Sequence, residues 1–62
     1  MCESNVFALR NGKEEMVMEN VASITPQKDG LLLVDLFGEN KLVQASITEV
    51  RLMEHKIYIS ES

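Results

Sequence analysis

The chain has few of the residues that stabilise small secreted proteins or carry aromatic surfaces. It contains one cysteine, one proline, two phenylalanines, one tyrosine and no tryptophan. A single cysteine excludes an internal disulfide and is typical of a reducing compartment. The longest apolar run, Leu31 to Val34, is far shorter than the ~20 residues that cross a bilayer, and no secretory leader is visible. We therefore expect a cytoplasmic protein with no membrane partner.

Basic residues are also scarce. Six Lys and Arg stand against ten Asp and Glu, which gives a formal net charge of −4. Nucleic-acid-binding proteins normally carry the opposite balance, because neutralising phosphate supplies most of their affinity. Arg10, Lys41 and Arg51 could form only a thin basic patch, with few rings nearby for base stacking. A nucleic-acid partner is not favoured, and the acidic residues are interpreted as solvated surface.

Catalytic and multi-ligand metal motifs are absent from the sequence. Its three glycines stand singly in predicted turns, so no glycine-rich phosphate loop is present. One cysteine and one histidine cannot make a zinc site of four protein ligands within a chain. Glu14-Glu15 is interpreted as a solvated pair, and His55 as an exposed turn residue with a ligand role as the alternative. The sequence predicts that the protein is not an enzyme.

The length of 62 residues predicts one domain spanning residues 1–62. A chain of this size buries only about 60% of its unfolded surface. Small domains without disulfides are often secured by oligomerisation, and a two-fold dimer is the commonest form. We therefore expect a homodimer.

Short alternating segments separated by turn residues occupy most of the chain. Asn11-Gly12 predicts a tight hairpin turn, which favours a strand over a helix for the ambiguous segment 13–20 after it. A phase change near Thr48-Glu49 predicts a bulge or bend in one long strand at 41–53, and the last three residues are expected to fray. Five or six short strands predict an all-β sandwich or small barrel. The strands are expected at 3–10, 13–20, 21–25, 30–36, 41–53 and 57–59.

Cys2 is the candidate metal ligand, because it stands next to the first residue of the sequence. With Met1 kept, the Met1 amine, the Cys2 amide nitrogen and the Cys2 sulfur could chelate one ion. With Met1 removed, the donors would be the Cys2 amine, the Cys2 sulfur and the Glu3 amide nitrogen. Such donors suit square-planar Ni(II) or Cu(II). The alternative is an incidental thiol. A dimer would add a second copy of Cys2 and make a better soft-metal site.

The sequence resembles the CooT family, which consists of small nickel-binding accessory proteins of carbon monoxide dehydrogenase maturation. The resemblance is carried by the opening Met1-Cys2-Glu3-Ser4-Asn5-Val6, by the segment from Asp29 to Glu39 and by His55-Lys56-Ile57. It covers essentially the whole chain, and its most specific element is the Met-Cys start.

The resemblance implies a small SH3-like antiparallel β-barrel of five to six strands. It also implies a homodimer that binds one Ni(II) at the subunit interface. The metal-binding residues would be Cys2 and, through backbone nitrogen, Glu3, with the Cys2 nitrogen as the alternative. Nickel would be supplied to apo carbon monoxide dehydrogenase or to another nickel-delivery protein. The alternative function is a small RNA-binding or protein-interaction β-barrel module in which Cys2 is incidental.

Overall fold

The computed structural model describes residues 3–61, and within that range it contains strands and turns but no helix. No helix long and apolar enough to span a membrane is therefore found among these residues. The all-β prediction is confirmed. The six strands are β1 (Ser4–Arg10), β2 (Lys13–Gln27), β3 (Gly30–Asp35), β4 (Asn40–Val43), β5 (Ala45–Arg51) and β6 (Lys56–Glu61).

The hairpin between β1 and β2 forms at the predicted Asn11-Gly12 turn. Both residues have positive φ angles, 53° and 77°, as a tight turn between twisted antiparallel strands requires. Arg10 pairs with Lys13 on either side of the turn. The segment after the turn is a strand, so the helical alternative for residues 13–20 is wrong.

β2 is the longest strand, with 15 residues, and it pairs with two different strands. Its first half pairs with β1, and its second half pairs with β3. Register shifts occur on both sides of Val21, and Asn20 has a φ of 55°. Bulges of this kind increase local twist and bend a strand. The bend lets β2 curl the sheet around the core.

The predicted long strand at 41–53 is wrong, because the chain divides at Gln44 into β4 and β5. β4 pairs with β3 at one end of the sheet, whereas β5 pairs with β6 at the other. The predicted bulge near Thr48 is confirmed by a register shift between Ile47 and Glu49. Val43 ends β4 and Ala45 begins β5, and both are buried. The alternation of buried residues therefore continues across the corner at Gln44, although the two strands pair with different neighbours.

The six strands form one sheet in the order β4-β3-β2-β1-β6-β5, which curls into a half-barrel of the SH3-like type. Four of the five strand pairs are antiparallel, as expected, whereas β1 and β6 are parallel. The expectation that the chain frays after Ile59 is wrong for Ser60 and Glu61. Both residues pair with β5, and Glu61 accepts a 2.6 Å hydrogen bond from Arg10.

The core lies on the concave side of the sheet. Leu33, Ile59 and Val6 are its largest fully buried side chains. They lie on β3, β6 and β1, which the curl of the sheet arranges around one core. The remaining core residues are Ala8, Val21, Leu31, Val43 and Ala45.

Candidate functional site

The metal site predicted from the sequence lies at the start of the chain. Cys2 falls outside the residues that the structure describes, so its placement stays a prediction. Glu3 is exposed and directly precedes β1, which begins at Ser4. The residue with the predicted backbone donor therefore lies at the surface, immediately before the first strand.

Asn5 ties the beginning of β1 to two other parts of the fold. Its backbone N–H donates to the carbonyl of His55 at 2.9 Å, and its side-chain Oδ1 accepts from the backbone N–H of Asn20 at 3.1 Å. The first bond reaches the turn between β5 and β6, and the second reaches the bend of β2. The position of the chain three residues after Cys2 is therefore fixed from both sides.

The turn between β5 and β6, which receives the N–H of Asn5, carries exposed apolar side chains. Leu52 is 77% exposed and Met53 is 95% exposed. His55 is exposed, as predicted, and has a φ of 57°. Its N–H donates to the carbonyl of Leu52 at 3.2 Å. This exposed turn adjoins the start of β1 through the hydrogen bond between Asn5 and His55.

Residues 3–61 contain no cluster of three or more His, Cys, Asp or Glu side chains that could hold a metal ion. His55 is therefore not brought together with carboxylates into a site of its own. The Glu14-Glu15 pair is exposed, as expected. The part of the chain that the structure describes offers no second metal centre to compete with the predicted site at Cys2.

Asp35 organises the loop between β3 and β4, and the sequence reasoning missed it. The residue is 9% exposed, and its Oδ1 accepts hydrogen bonds of 2.9 Å from the backbone N–H groups of Phe37 and Glu39. The loop holds Phe37 81% exposed. The signal was present in the sequence, because an aspartate at the start of a glycine-containing turn commonly accepts from amides two or more residues later.

An aromatic pair lies on the convex side of the sheet, where β1 and β6 are neighbours. The ring centroids of Phe7 and Tyr58 are 5.9 Å apart. Arg51 lies 5.8 Å from the centroid of Tyr58, and Lys56 lies 5.7 Å from that of Phe7. Burial and the neighbouring Glu14 carboxylate raise the pKa of the Tyr58 hydroxyl. The rings pack against each other and against cations, so they do not form an open stacking platform.

Arg51, the arginine beside the aromatic pair, is paired with carboxylates. Arg51 donates to Glu49 at 2.7 Å and to Glu54 at 3.2 Å, and these hydrogen bonds raise the pKa of Arg51. Lys56 lies 3.9 Å from Glu54. The positive charge near the rings is therefore largely balanced, which opposes phosphate binding at this surface.

Arg10 makes a second set of ion pairs at the other end of β1. It donates to Glu61 at 2.6 Å and to Glu15 at 3.2 Å. The hydrogen bond from Arg10 lowers the pKa of the Glu61 carboxyl. Arg10 therefore links the hairpin to the last strand, so the thin basic patch considered from the sequence does not form around it.

Known proteins provide three comparisons. The family model for the CO dehydrogenase accessory protein CooT matches residues 1–60. An uncharacterized protein of Methanocaldococcus jannaschii, MJ1551, is 37% identical over 59 residues, which cover 95% of this chain and 96% of that protein.

A solved structure gives the third comparison. The crystal structure of a protein assigned as CooT from Carboxydothermus hydrogenoformans aligns with a TM-score of 0.93 and 34% sequence identity, and the alignment covers 98% of each chain. The match therefore extends over nearly the whole fold, and the expectation from the sequence is confirmed. The chain belongs to the CooT family of CO dehydrogenase accessory proteins.

Proposed function

We propose that this accessory protein binds Ni(II) as cargo and supplies it for the maturation of carbon monoxide dehydrogenase. The ligands are the thiolate of Cys2 and a backbone nitrogen of Glu3 or of Cys2, from each of two chains in a homodimer. The protein is a carrier and not a catalyst. The observation that supports this proposal most directly is the family match, which spans residues 1–60 and so includes both Cys2 and Glu3.

The donor set fits the proposed cargo. A thiolate is a soft ligand, and deprotonated amide nitrogens in a plane suit a four-coordinate d⁸ ion such as Ni(II). The amide must lose its proton before it binds, so affinity falls as pH decreases. Two chains that contribute one thiolate each would hold one ion between them.

The fold supports delivery of the metal from this position. Glu3 is exposed, while the two hydrogen bonds of Asn5 fix the chain just after it. Glu3 therefore precedes the barrel and is not part of its core. A receiving protein can reach an exposed site without unfolding the carrier. The apo form of carbon monoxide dehydrogenase, or a second nickel-delivery protein, is the proposed receiver.

The proposal is tested by replacing Cys2 with serine and titrating Ni(II) by calorimetry and visible absorption. Wild-type protein should bind one Ni(II) per two chains, with a thiolate-to-nickel charge-transfer band that the variant lacks. His55→Ala is the matched control, because His55 is the only histidine and lies exposed in the neighbouring turn. The control should keep the stoichiometry and the spectrum. Unchanged binding by Cys2→Ser, or loss of binding by His55→Ala, would contradict the proposed ligands.

The pH dependence gives a second readout of the same site. Nickel affinity should fall between pH 8 and about pH 6, since protons compete for the thiolate and for the amide. Binding that stays constant over this range would exclude a thiolate–amide donor set. Saturation at one nickel per chain would exclude sharing between two chains.

An RNA-binding module remains the alternative function, but the ion pairs give it little support. Three of the six basic residues, Arg10, Arg51 and Lys56, contact carboxylates. Breaking these pairs would reduce the gain from contacts with phosphate. RNA binding that survives a chelator and weakens steeply with added salt would favour the alternative.

A further inference from the structure

An open cavity lies between the bend of β2 and the loop that joins β3 to β4. Its volume is about 720 Å³, which falls in the range of about 300–1,000 Å³ that is typical of ligand sites. Its lining combines apolar and acidic side chains, among them Val17, Met18, Phe37, Glu19, Asp35 and Glu39. We name this space the loop cavity.

The loop cavity is acidic. Three carboxylates line it, and the single ammonium group among the lining residues belongs to Lys41, so the formal charge of the lining is −2. Glu19 and Glu39 are exposed. Within the described range 3–61, neither of them forms an ion pair. Their charge is therefore available to attract a cation.

Asp35 gives the loop cavity a polar atom that the fold does not use. The residue is 9% exposed, and both of its hydrogen bonds, from Phe37 and Glu39, go to Oδ1. No donor among residues 3–61 lies within hydrogen-bond distance of Oδ2. No fully buried side-chain oxygen in this range lacks a partner, so Oδ2 keeps access to the cavity. A largely buried carboxylate oxygen without a protein donor favours a ligand that supplies one.

The arrangement of the side chains favours an organic cation. Residues 3–61 contain no group of three His, Cys, Asp or Glu side chains that could hold a metal ion. Phe37 is 81% exposed and offers a ring to a cation. A guanidinium group carries five N–H donors in one plane and stacks on aromatic rings. The half-buried Val17 and Met18 provide an apolar wall for an aliphatic stem.

We propose that the loop cavity binds the guanidinium group of an arginine that a different protein presents. The arginine stacks on Phe37 and donates to Oδ2 of Asp35, while the carboxylates of Glu19 and Glu39 attract its charge. The cavity is open to the surface, so the side chain enters it from outside. This inference goes beyond the proposed function and does not depend on nickel.

The arginines of the chain itself are poor candidates for this place. Arg10 donates to Glu15 and Glu61, and Arg51 donates to Glu49 and Glu54. A second copy of the chain would have to break two ion pairs to present either of its arginines. The occupant is therefore a protein with a free arginine on its surface.

The test titrates a blocked glycine–arginine–glycine peptide into metal-free, isotope-labelled protein and follows the backbone amides by two-dimensional NMR. A peptide with citrulline in place of arginine is the matched control, because its urea group keeps the shape and lacks the charge. Free arginine represents the other source of a guanidinium group, and the acidic lining repels its own carboxylate.

The arginine peptide should shift the amides of Asn20, Phe37 and Glu39 in a saturable way, with a dissociation constant of about 1–10 mM. The citrulline peptide should bind at least about fivefold more weakly. No saturable shift at about 50 mM arginine peptide, or equal binding of the citrulline peptide, would overturn the inference. Binding of free arginine as tight as that of the peptide would overturn the assignment to a protein partner.

Charge-neutralising variants locate the site. Glu19→Gln and Glu39→Gln should each weaken binding of the arginine peptide about two- to fivefold, as expected for one exposed charge. The matched control is Asp29→Asn, because Asp29 is exposed in the turn between β2 and β3 and does not line the loop cavity. It should bind the peptide like the wild type. Asp35→Asn turns a free acceptor into a donor and should reduce binding most, with circular dichroism as the check that it is folded.

Two results with these variants would contradict the proposed site. Equal weakening by Asp29→Asn would show that only the net charge attracts the peptide, and unchanged binding by both glutamate variants would remove the loop cavity from the interaction. Sedimentation velocity with and without the arginine peptide adds a third readout. A dimer that dissociates when the peptide is added would show that a second copy occupies the cavity, and would overturn the assignment to a different protein. Because the protein is metal-free, these outcomes are independent of the nickel experiments.

Discussion

Replacing Asp35 with alanine should destabilise the protein by about 2–3 kcal/mol. Asp35 is 9% exposed, and its carboxylate accepts two backbone hydrogen bonds of 2.9 Å, from Phe37 and Glu39. Hydrogen bonds to a charged group contribute about 1.5–3 kcal/mol each. Part of this is recovered in the variant, because the loop is exposed and water can reach the freed amides. A domain of this size has a total stability of about 3–9 kcal/mol, so the loss is a large fraction of it.

The measurement is urea denaturation followed by circular dichroism. With a slope near 1 kcal/mol per molar urea for a small domain, the midpoint should fall by about 2 M. Asp35→Asn keeps an oxygen acceptor at the same position, so we expect it to lose at most about half of the stability that Asp35→Ala loses. Glu39→Ala removes an exposed carboxylate from the same loop without touching the two bonds, and it should lie within about 0.5 kcal/mol of wild type.

Two outcomes would refute the reasoning on Asp35. An Asp35→Ala variant as stable as the Glu39→Ala control would show that the two hydrogen bonds contribute nothing net. An Asp35→Asn variant as unstable as Asp35→Ala would show that the negative charge stabilises the loop, and not the acceptor geometry.

Two further predictions follow from the backbone of the turns and from the aromatic pair. Gly30→Ala should lower the free energy of unfolding by more than about 2 kcal/mol in urea denaturation, because φ is 149° there and a Cβ would collide with the backbone of Val43. Gly12→Ala is the control, because there is open space around Gly12, and it should lower the same free energy by about 1 kcal/mol. Tyr58, the single tyrosine, should ionise at a higher pH than free tyrosine, because burial against Phe7 disfavours its charged form. An absorbance titration at about 295 nm, the region in which tyrosinate absorbs, measures this. Because the pKa of Tyr58 is higher in the folded state than in the unfolded state, its protonated hydroxyl stabilises the fold below the unfolded-state pKa. This stabilisation is lost as pH rises through the folded-state pKa. A titration midpoint at or below that of free tyrosine would contradict the packing of the ring.

Local signals in the sequence predicted much of the fold. Asn11-Gly12 placed the first hairpin correctly, since both residues tolerate positive φ. The apolar segment at 30–36 was correctly predicted as a strand, and the phase change near Thr48 marked a real bulge. Each of these features is decided by residues close together in the chain.

The errors occurred where distant parts of the chain decide the structure. Val43 and Ala45 keep the same inward phase across Gln44, so alternation alone cannot reveal that β4 pairs with β3 and β5 with β6. The end of β6 looked free to fray, but Arg10 contacts Glu61 across 51 residues of sequence. The parallel pairing of β1 with β6 depends on the same closure.

The candidate metal site at Cys2 and Glu3 was predicted more from the resemblance to the CooT family than from the pattern of apolar and polar residues. Membership of the family is confirmed by the match over residues 1–60, while the roles of Cys2 and Glu3, the nickel cargo and the dimer stay predictions. Asp35 shows the opposite case, in which a buried polar residue had a local signal that the strand pattern hid. The predicted strand at 30–36 included Asp35, so its side chain was treated as part of the strand pattern and not as the acceptor that organises the next loop.

The parallel contact between β1 and β6 sets an order of events for a newly made chain. Asn5 cannot take its place beside Lys56 until nearly all of the sequence between them has emerged from the ribosome and curled. Contacts of such long sequence separation slow folding. The β1–β2 hairpin depends on neighbouring sequence alone, whereas the contacts of Asn5 with Lys56 and with the carbonyl of His55 form only after the turn between β5 and β6 has folded.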